Sequence, residues 1–155
     1  MLRFFFITLS SSKKSIIKKK KAKRILVVDD EEVIRKFVKI QLGKLGFEIK
    51  EAEDGNKAIE ALGKENFDLL ICDIMMPNKN GWEVIKEVRS NPKTRDLPII
   101  VLTAKNEDKD MFKGYELGAS YYITKPFTKA QLLYGIQLMF QEEGGESIEW
   151  SQSTP

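Results

Sequence analysis

The stretch Phe67-Asp68-Leu69-Leu70-Ile71-Cys72-Asp73 constrains the fold more than any other part of the chain. Four consecutive apolar residues run straight into a carboxylate. Such an unbroken short run suits a strand covered on both faces, as in a parallel sheet packed between helices. Asp73 then falls at the strand's carboxyl end, the edge where open α/β sheets bind ligands. Taken alone, Asp73 also reads as a solvated loop carboxylate. What the rest of the chain brings to the same edge decides between the two.

Regular structure is expected from Arg24-Ile25-Leu26-Val27-Val28-Asp29-Asp30, a second continuous apolar run, ending in two carboxylates. A helix follows, with Ile34, Phe37, Val38, Leu42 and Leu45 at offsets of three and four. Glu31 and Glu32 fall in its first turn, where the helix dipole favours acids, and Gly46 is placed to end it. Phe47 to Ala52 reads as a strand, Asp54-Gly55 as a turn, and Ala58 to Leu62 as a short helix ending near Gly63. After the Asp73 strand, Met75 to Gly81 reads as a loop with breakers at Pro77 and Gly81. Trp82, Ile85 and Val88 mark a third helix, and Leu97 to Thr103 a fourth strand with Pro98 near its start. A fourth helix carries Met111, Phe112 and Tyr115 and stops near Gly118. Tyr121 to Thr124 is a fifth strand, ending at Lys125-Pro126. Thr128 and Gln131 form a capping box for the last helix, with Phe127 and Leu132 at staple positions. Five strands alternating with five helices argue a doubly wound α/β sandwich, and right-handed crossovers place all five strand ends on one edge.

The chain of 155 residues suffices for one ordinary domain. With 42% hydrophobic and 32% charged residues it has a globular composition. Cys72 stands alone inside an apolar run, which excludes a disulfide framework and fits a reducing compartment. There is no histidine, so Ser-His-Asp catalysis, His-ligated metal sites and phosphohistidine formation are excluded for this chain. The net charge of +3 conceals an asymmetry. Residues 1–24 hold nine of the 26 basic residues and no acid, leaving 17 bases against 23 acids, a net −6, for the remainder. The body is therefore acidic and ill suited to nucleic acid. Residues 1–22 read as a disordered basic tail. The apolar piece from Leu2 to Leu9 is far shorter than the roughly 20 residues that span a bilayer, and no signal-peptide cleavage site follows it. A weak anionic-lipid or nucleic-acid arm is the other reading of that tail. Residues 142–155 read as a flexible acidic tail.

The predicted edge collects Asp29 and Asp30 from the first strand, Asp73 from the third, Thr103 from the fourth and Lys125 after the fifth. Each has an ordinary reading by itself: a helix cap and its neighbour, a strand-end hydroxyl, a solvated lysine. Together they point to chemistry. Three crowded carboxylates repel one another unless a cation neutralises them. A hard divalent ion with oxygen ligands does so, and Mg²⁺ tolerates one or two carboxylates with waters and a phosphate oxygen. Lys125 adds a compact positive charge and Thr103 a hydroxyl donor. The set favours a phosphoryl group, which an Asp carboxylate could attack to form an acyl phosphate.

At these residues the sequence resembles the receiver domains of response regulators in two-component signalling, of the stand-alone, chemotaxis-like type. The resemblance runs from about Lys23 to about Gln141, so residues 23–141 are expected to form the domain. It rests on Val27-Val28-Asp29-Asp30, on Asp73 with Met76-Pro77 and Gly81, on Thr103-Ala104, and on Lys125-Pro126-Phe127. It implies a flavodoxin-like sheet of order 2-1-3-4-5 and a cytoplasmic protein. It implies that Asp73 is the phosphoacceptor. Asp30, Asp73 and the Met75 backbone carbonyl would ligate Mg²⁺, with Asp29 acting through metal-bound water. Thr103 and Lys125 would contact phosphoryl oxygens, and Tyr122 falls at the switch aromatic. The Lys125-Pro126 bond is expected to be cis. Met75 and Lys105 occupy the two positions that tune phosphoryl lifetime. The implied partners are a sensor histidine kinase or phosphotransfer protein and a downstream protein target. About fourteen residues follow the last helix, too few for an output or DNA-binding domain. The competing reading is an aspartyl-phosphate phosphatase of haloacid-dehalogenase type. That chemistry needs a carboxylate two residues after the nucleophile, where this chain has Met75. A purely structural adaptor with a dead site is the third reading.

Overall fold

The structure is a computed structural model and describes residues 21–104, 113 and 115–141. The expectations for most of the basic tail, for Met111 and Phe112 and for the acidic tail lie outside the described residues.

Five parallel strands form one sheet: β1 (Arg24–Val28), β2 (Glu48–Ala52), β3 (Leu69–Asp73), β4 (Ile99–Thr103) and β5 (Tyr121–Thr124). Their order is β2-β1-β3-β4-β5, as the sequence led one to expect. Helices α1 (Glu32–Gly43), α2 (Gly55–Lys64) and α3 (Gly81–Ser90) make the first crossovers. Residues 115–117 are the described end of a fourth helix, α4, and α5 (Lys129–Met139) closes the fold.

The two continuous apolar runs become β1, buried from Ile25 onward, and β3, buried throughout, and every residue of β4 is buried as well. Alternate side chains serve opposite cores, because successive strand residues point to opposite faces. Leu26, Val28, Leu70, Cys72 and Val101 meet Ala58, Ala61, Val84, Ile85 and Val88 from α2 and α3. Ile25, Val27, Ile71, Ile100 and Leu102 meet Val38 and Leu42 of α1 and Leu132 and Ile136 of α5. Each fully buried branched side chain stabilises the fold by about 1.5–3 kcal/mol relative to exposure. Among the described residues no helix is long and apolar enough to cross a membrane.

Local chemistry sets the helix ends. Asp54 caps α2, its side chain accepting from the Lys57 N–H at 2.8 Å. The expected capping box at Thr128 and Gln131 starts α5. A second box, Asn80 with Glu83, starts α3. Sequence reading assigned that segment to a loop ending at Gly81, but Gly81 is the first residue of the helix. Its lack of a side chain is required there, since a Cβ would lie 2.2 Å from the backbone oxygen of Asp73. The Gly81 N–H instead donates to the Ile74 carbonyl at 2.9 Å, pinning the start of α3 to the end of β3. Helix α1 ends at Gly43, three residues before Gly46, which adopts φ +90° in the turn beyond. At Gly118, φ +102° ends α4, and the Arg89 side chain grips its carbonyl.

Candidate functional site

The strand ends bring Asp29, Asp73, Thr103 and Lys125 together as expected. Asp29 follows β1 and its N–H donates to the Ala52 carbonyl, extending the ladder by one residue. It is fully buried. One carboxylate oxygen, Oδ1, accepts the Glu31 N–H at 2.9 Å, and the other, Oδ2, faces the Lys125 ammonium at 2.7 Å. Arg35 donates to the Asp29 carbonyl at 2.7 Å and pairs with Glu51 at 3.4 Å, which ties the end of β1 to α1 and β2.

Asp73 ends β3 and is only 3% exposed. The next residue continues the sheet, the Ile74 N–H donating to the Leu102 carbonyl at 3.2 Å. Lys125 is anchored through its own N–H, which donates to the Thr103 carbonyl at 2.6 Å, and the bond that follows it to Pro126 is cis, as expected. From there its ammonium reaches Asp73 at 3.4 Å. Thr103 is buried at the end of β4, in register with Thr124.

The electrostatics of this corner are unbalanced. Burial pushes the Asp73 carboxyl up to about 7, the charges of Asp29 and Asp30 add to the rise, and Lys125 opposes it. Burial raises Asp29 as well, against the pull of Lys125. Burial works to lower the Lys125 ammonium, but its bonds and charge contacts with Asp29, Asp73 and Glu31 outweigh this and hold it above the ordinary lysine value. Asp29, Asp30 and Glu31 each offer a carboxylate oxygen within 4.8 Å of the others. Three acids, Asp29, Glu31 and Asp73, converge on one lysine, with Asp30 beside them, and oxygen donors with excess negative charge are the donor set a hard divalent cation takes.

Two residues here were not singled out from the sequence. Glu31 was assigned to the first turn of α1 for its charge; instead it occupies the N-cap position, makes no side-chain cap and reaches Lys125 at 3.2 Å. Four consecutive acids, Asp29 to Glu32, at a strand end were the available signal. Arg35 carried none, because its tie to the site is to the backbone carbonyl of Asp29. Asp30 is exposed, and Met75, two residues after Asp73, is 57% exposed. Tyr122 stands in register with Val101 and is only 7% exposed, its ring 6.4 Å from that of Tyr115.

The sequence model of the response regulator receiver domain matches residues 25–137. The chain belongs to the response regulator receiver family. Receiver domains of this family are phosphoacceptors in two-component signalling, and this chain carries that function as a member. It is 39% identical to the phosphate regulon transcriptional regulatory protein PhoB of Escherichia coli over 116 residues, 75% of this chain and 51% of PhoB. The PhoB of Klebsiella pneumoniae matches with the same identity and coverage. The chain thus spans about half the length of the curated relatives it matches. Among solved structures, the chemotaxis protein CheY4 of Vibrio cholerae is 33% identical with a TM-score of 0.74, covering 77% of this chain and 99% of CheY4. The signal receiver domain of a histidine kinase from Syntrophus aciditrophicus is 27% identical with a TM-score of 0.73, covering 84% of this chain and 99% of that one. The family match, with an apolar Met75 where a phosphatase of haloacid-dehalogenase type needs a carboxylate, counts against the phosphatase reading.

Proposed function

We propose that Asp73 is the phosphoacceptor of this receiver domain and that its donor is a phosphohistidine on a partner sensor histidine kinase or phosphotransfer protein. The observation that carries the reading is Asp73 itself, buried at the end of β3 with the Lys125 ammonium 3.4 Å away. A carboxylate oxygen of Asp73 attacks phosphorus, the bond from phosphorus to the donor nitrogen breaks, and that nitrogen keeps the electron pair. Lys125 and the Thr103 hydroxyl donate to phosphoryl oxygens. Asp30, Asp73 and the Met75 backbone carbonyl would hold Mg²⁺, with Asp29 orienting metal-bound water. When bound, the ion neutralises the acids and the incoming phosphoryl charge. The excess of carboxylates over cations in this corner supports that assignment.

Charge on Asp73 draws the Thr103 hydroxyl toward it, opening space behind β4 for the Tyr122 ring. The burial of Tyr122, only 7% exposed, supports this reading. In this reading phosphorylation shifts a population toward that inward state. The surface that changes is formed by α4, β5 and α5, including Tyr115, Lys125 and Phe127. A downstream protein binds it, or the phosphoryl group is passed on. Residues 23–141 are taken as the receiver domain, in the cytoplasm, with residues 1–22 and 142–155 as tails. The acyl phosphate hydrolyses in time, so the protein is a switch rather than a turnover enzyme.

Acetyl phosphate with Mg²⁺ tests this. The expected result is a single phosphoryl group per chain, lost when the metal is chelated before reaction and absent in Asp73→Asn. Undiminished labelling of Asp73→Asn would contradict it.

A further inference from the structure

Lys125 is surrounded by three carboxylates that differ in freedom. Its ammonium lies 2.7 Å from Asp29, 3.2 Å from Glu31 and 3.4 Å from Asp73. An ammonium has three protons, and three acceptors saturate it. A phosphoryl group on Asp73 also needs one of those protons, so one resting partner must give way. Asp29 is ill placed to yield, being fully buried, with its Oδ1 already holding the Glu31 N–H. Asp73 is fixed at the end of its strand and is itself the acceptor. Glu31 differs, its side chain being 61% exposed and able to swing into water. An exposed ion pair is weak enough to exchange.

We propose that Glu31 is a positioning residue that occupies Lys125 in the resting state and yields it when a phosphoryl group arrives on Asp73. This rests on the assignment of Asp73 as acceptor and of Lys125 as its phosphoryl contact. Glu31 spans 94 residues of sequence to reach Lys125, joining the start of α1 to the loop after β5. By holding the lysine between itself and Asp29, it keeps the positive charge off the centre of the Asp73 carboxylate. Its displacement also frees the N-terminal end of α1 from the loop that leads into α5.

The sign of the effect separates this role from metal ligation by the same carboxylate. Removing a metal ligand weakens binding of a phosphoryl analogue, whereas removing a competitor for Lys125 strengthens it. The probe is beryllofluoride, titrated calorimetrically into Mg²⁺-saturated protein. Glu31→Gln is expected to tighten its binding about three- to fivefold, the range an exposed ion pair supplies. Glu32→Gln serves as the charge control, because Glu32 pairs with Lys36 at 2.8 Å and not with Lys125. It is expected to leave the affinity unchanged. In a Lys125→Ala background, or Lys125→Met if alanine leaves the protein unfolded, Glu31→Gln is expected to have no effect. Unchanged or weaker binding by Glu31→Gln in the wild-type background would overturn the proposal. So would an equal gain in Glu32→Gln, or a gain that persists for the most part without Lys125. Wild-type binding by Asp73→Asn would instead overturn the acceptor assignment, whatever Glu31 does.

Discussion

Asp73 concentrates the tension of the site in one side chain. Its carboxyl is pushed from an ordinary 3.8 up to about 7 by burial first and by Asp29 and Asp30 second. The folded protein thus holds that proton more tightly than the unfolded chain does. The stability linked to it is fully present below pH about 4 and is lost as the pH rises through 7. Asp73→Asn removes the ionisation, so the metal-free variant is expected to be more stable than wild type at pH 8 by about 1–3 kcal/mol. At pH 4 the difference should shrink toward zero. Urea unfolding of both proteins at both pH values checks this, and a variant less stable at pH 8 would contradict it. Met75 poses the other question at this scale. It is 57% exposed beside the acceptor and has no polar group to orient an attacking water. Met75→Asn is expected to shorten the life of the acyl phosphate severalfold, read as the decay of labelled protein; a longer or unchanged life would refute that role.

At the scale of the element, the beginnings of helices explain both what could be read in advance and what could not. The capping box at Thr128 and Gln131 stood out because the apolar stripe of α5 followed it. The equivalent pair Asn80 and Glu83 lay hidden behind a glycine that looked like a breaker. The close approach of α3 to β3 turns that glycine into a helical residue, and no local pattern encodes such an approach. Gly81→Ala is therefore expected to cost about 1–3 kcal/mol, because a methyl group there meets the backbone of Asp73 and Ile74. The displaced loop should also weaken Mg²⁺ binding, since Met75 lies within it. Equal unfolding midpoints and equal Mg²⁺ titrations would show that the α3 start can yield. The proposed switch lies at the ends of β4 and β5. Thr103→Ala should still accept phosphate, because Asp73, Lys125 and the other acids remain. Thr103→Ala and Tyr122→Ala are each expected to abolish most of the difference in partner affinity between the phosphorylated and unmodified protein. If both kept the wild-type ratio, the Thr103–Tyr122 coupling would be wrong.

Over the whole molecule, the sheet was legible because its buried strands are short and apolar. Both β3 and β4 are apolar up to a last polar residue, Asp73 and Thr103, and those carboxyl ends belong to the site. Which residues share an edge follows from crossover handedness, so Asp29, Asp73, Thr103 and Lys125 could be placed together without coordinates. What a side chain does once there depends on reach and competition, and so the contact of Glu31 with Lys125 was not visible in the sequence. The basic head is a separate matter. The described sheet begins at Arg24, so deleting residues 1–22 should change the unfolding free energy by no more than about 0.5 kcal/mol and leave phosphorylation intact. Loss of cooperative unfolding on truncation would make the head part of the core.

If Asp73 alone among the four carboxylates receives the phosphoryl group, its position can be read directly. Borohydride reduces an aspartyl phosphate to homoserine, which peptide mass mapping locates. After reaction with acetyl phosphate and Mg²⁺, homoserine is expected at position 73 alone. Homoserine at Asp29 or Asp30, or labelled protein with Asp73 unmodified, would contradict it.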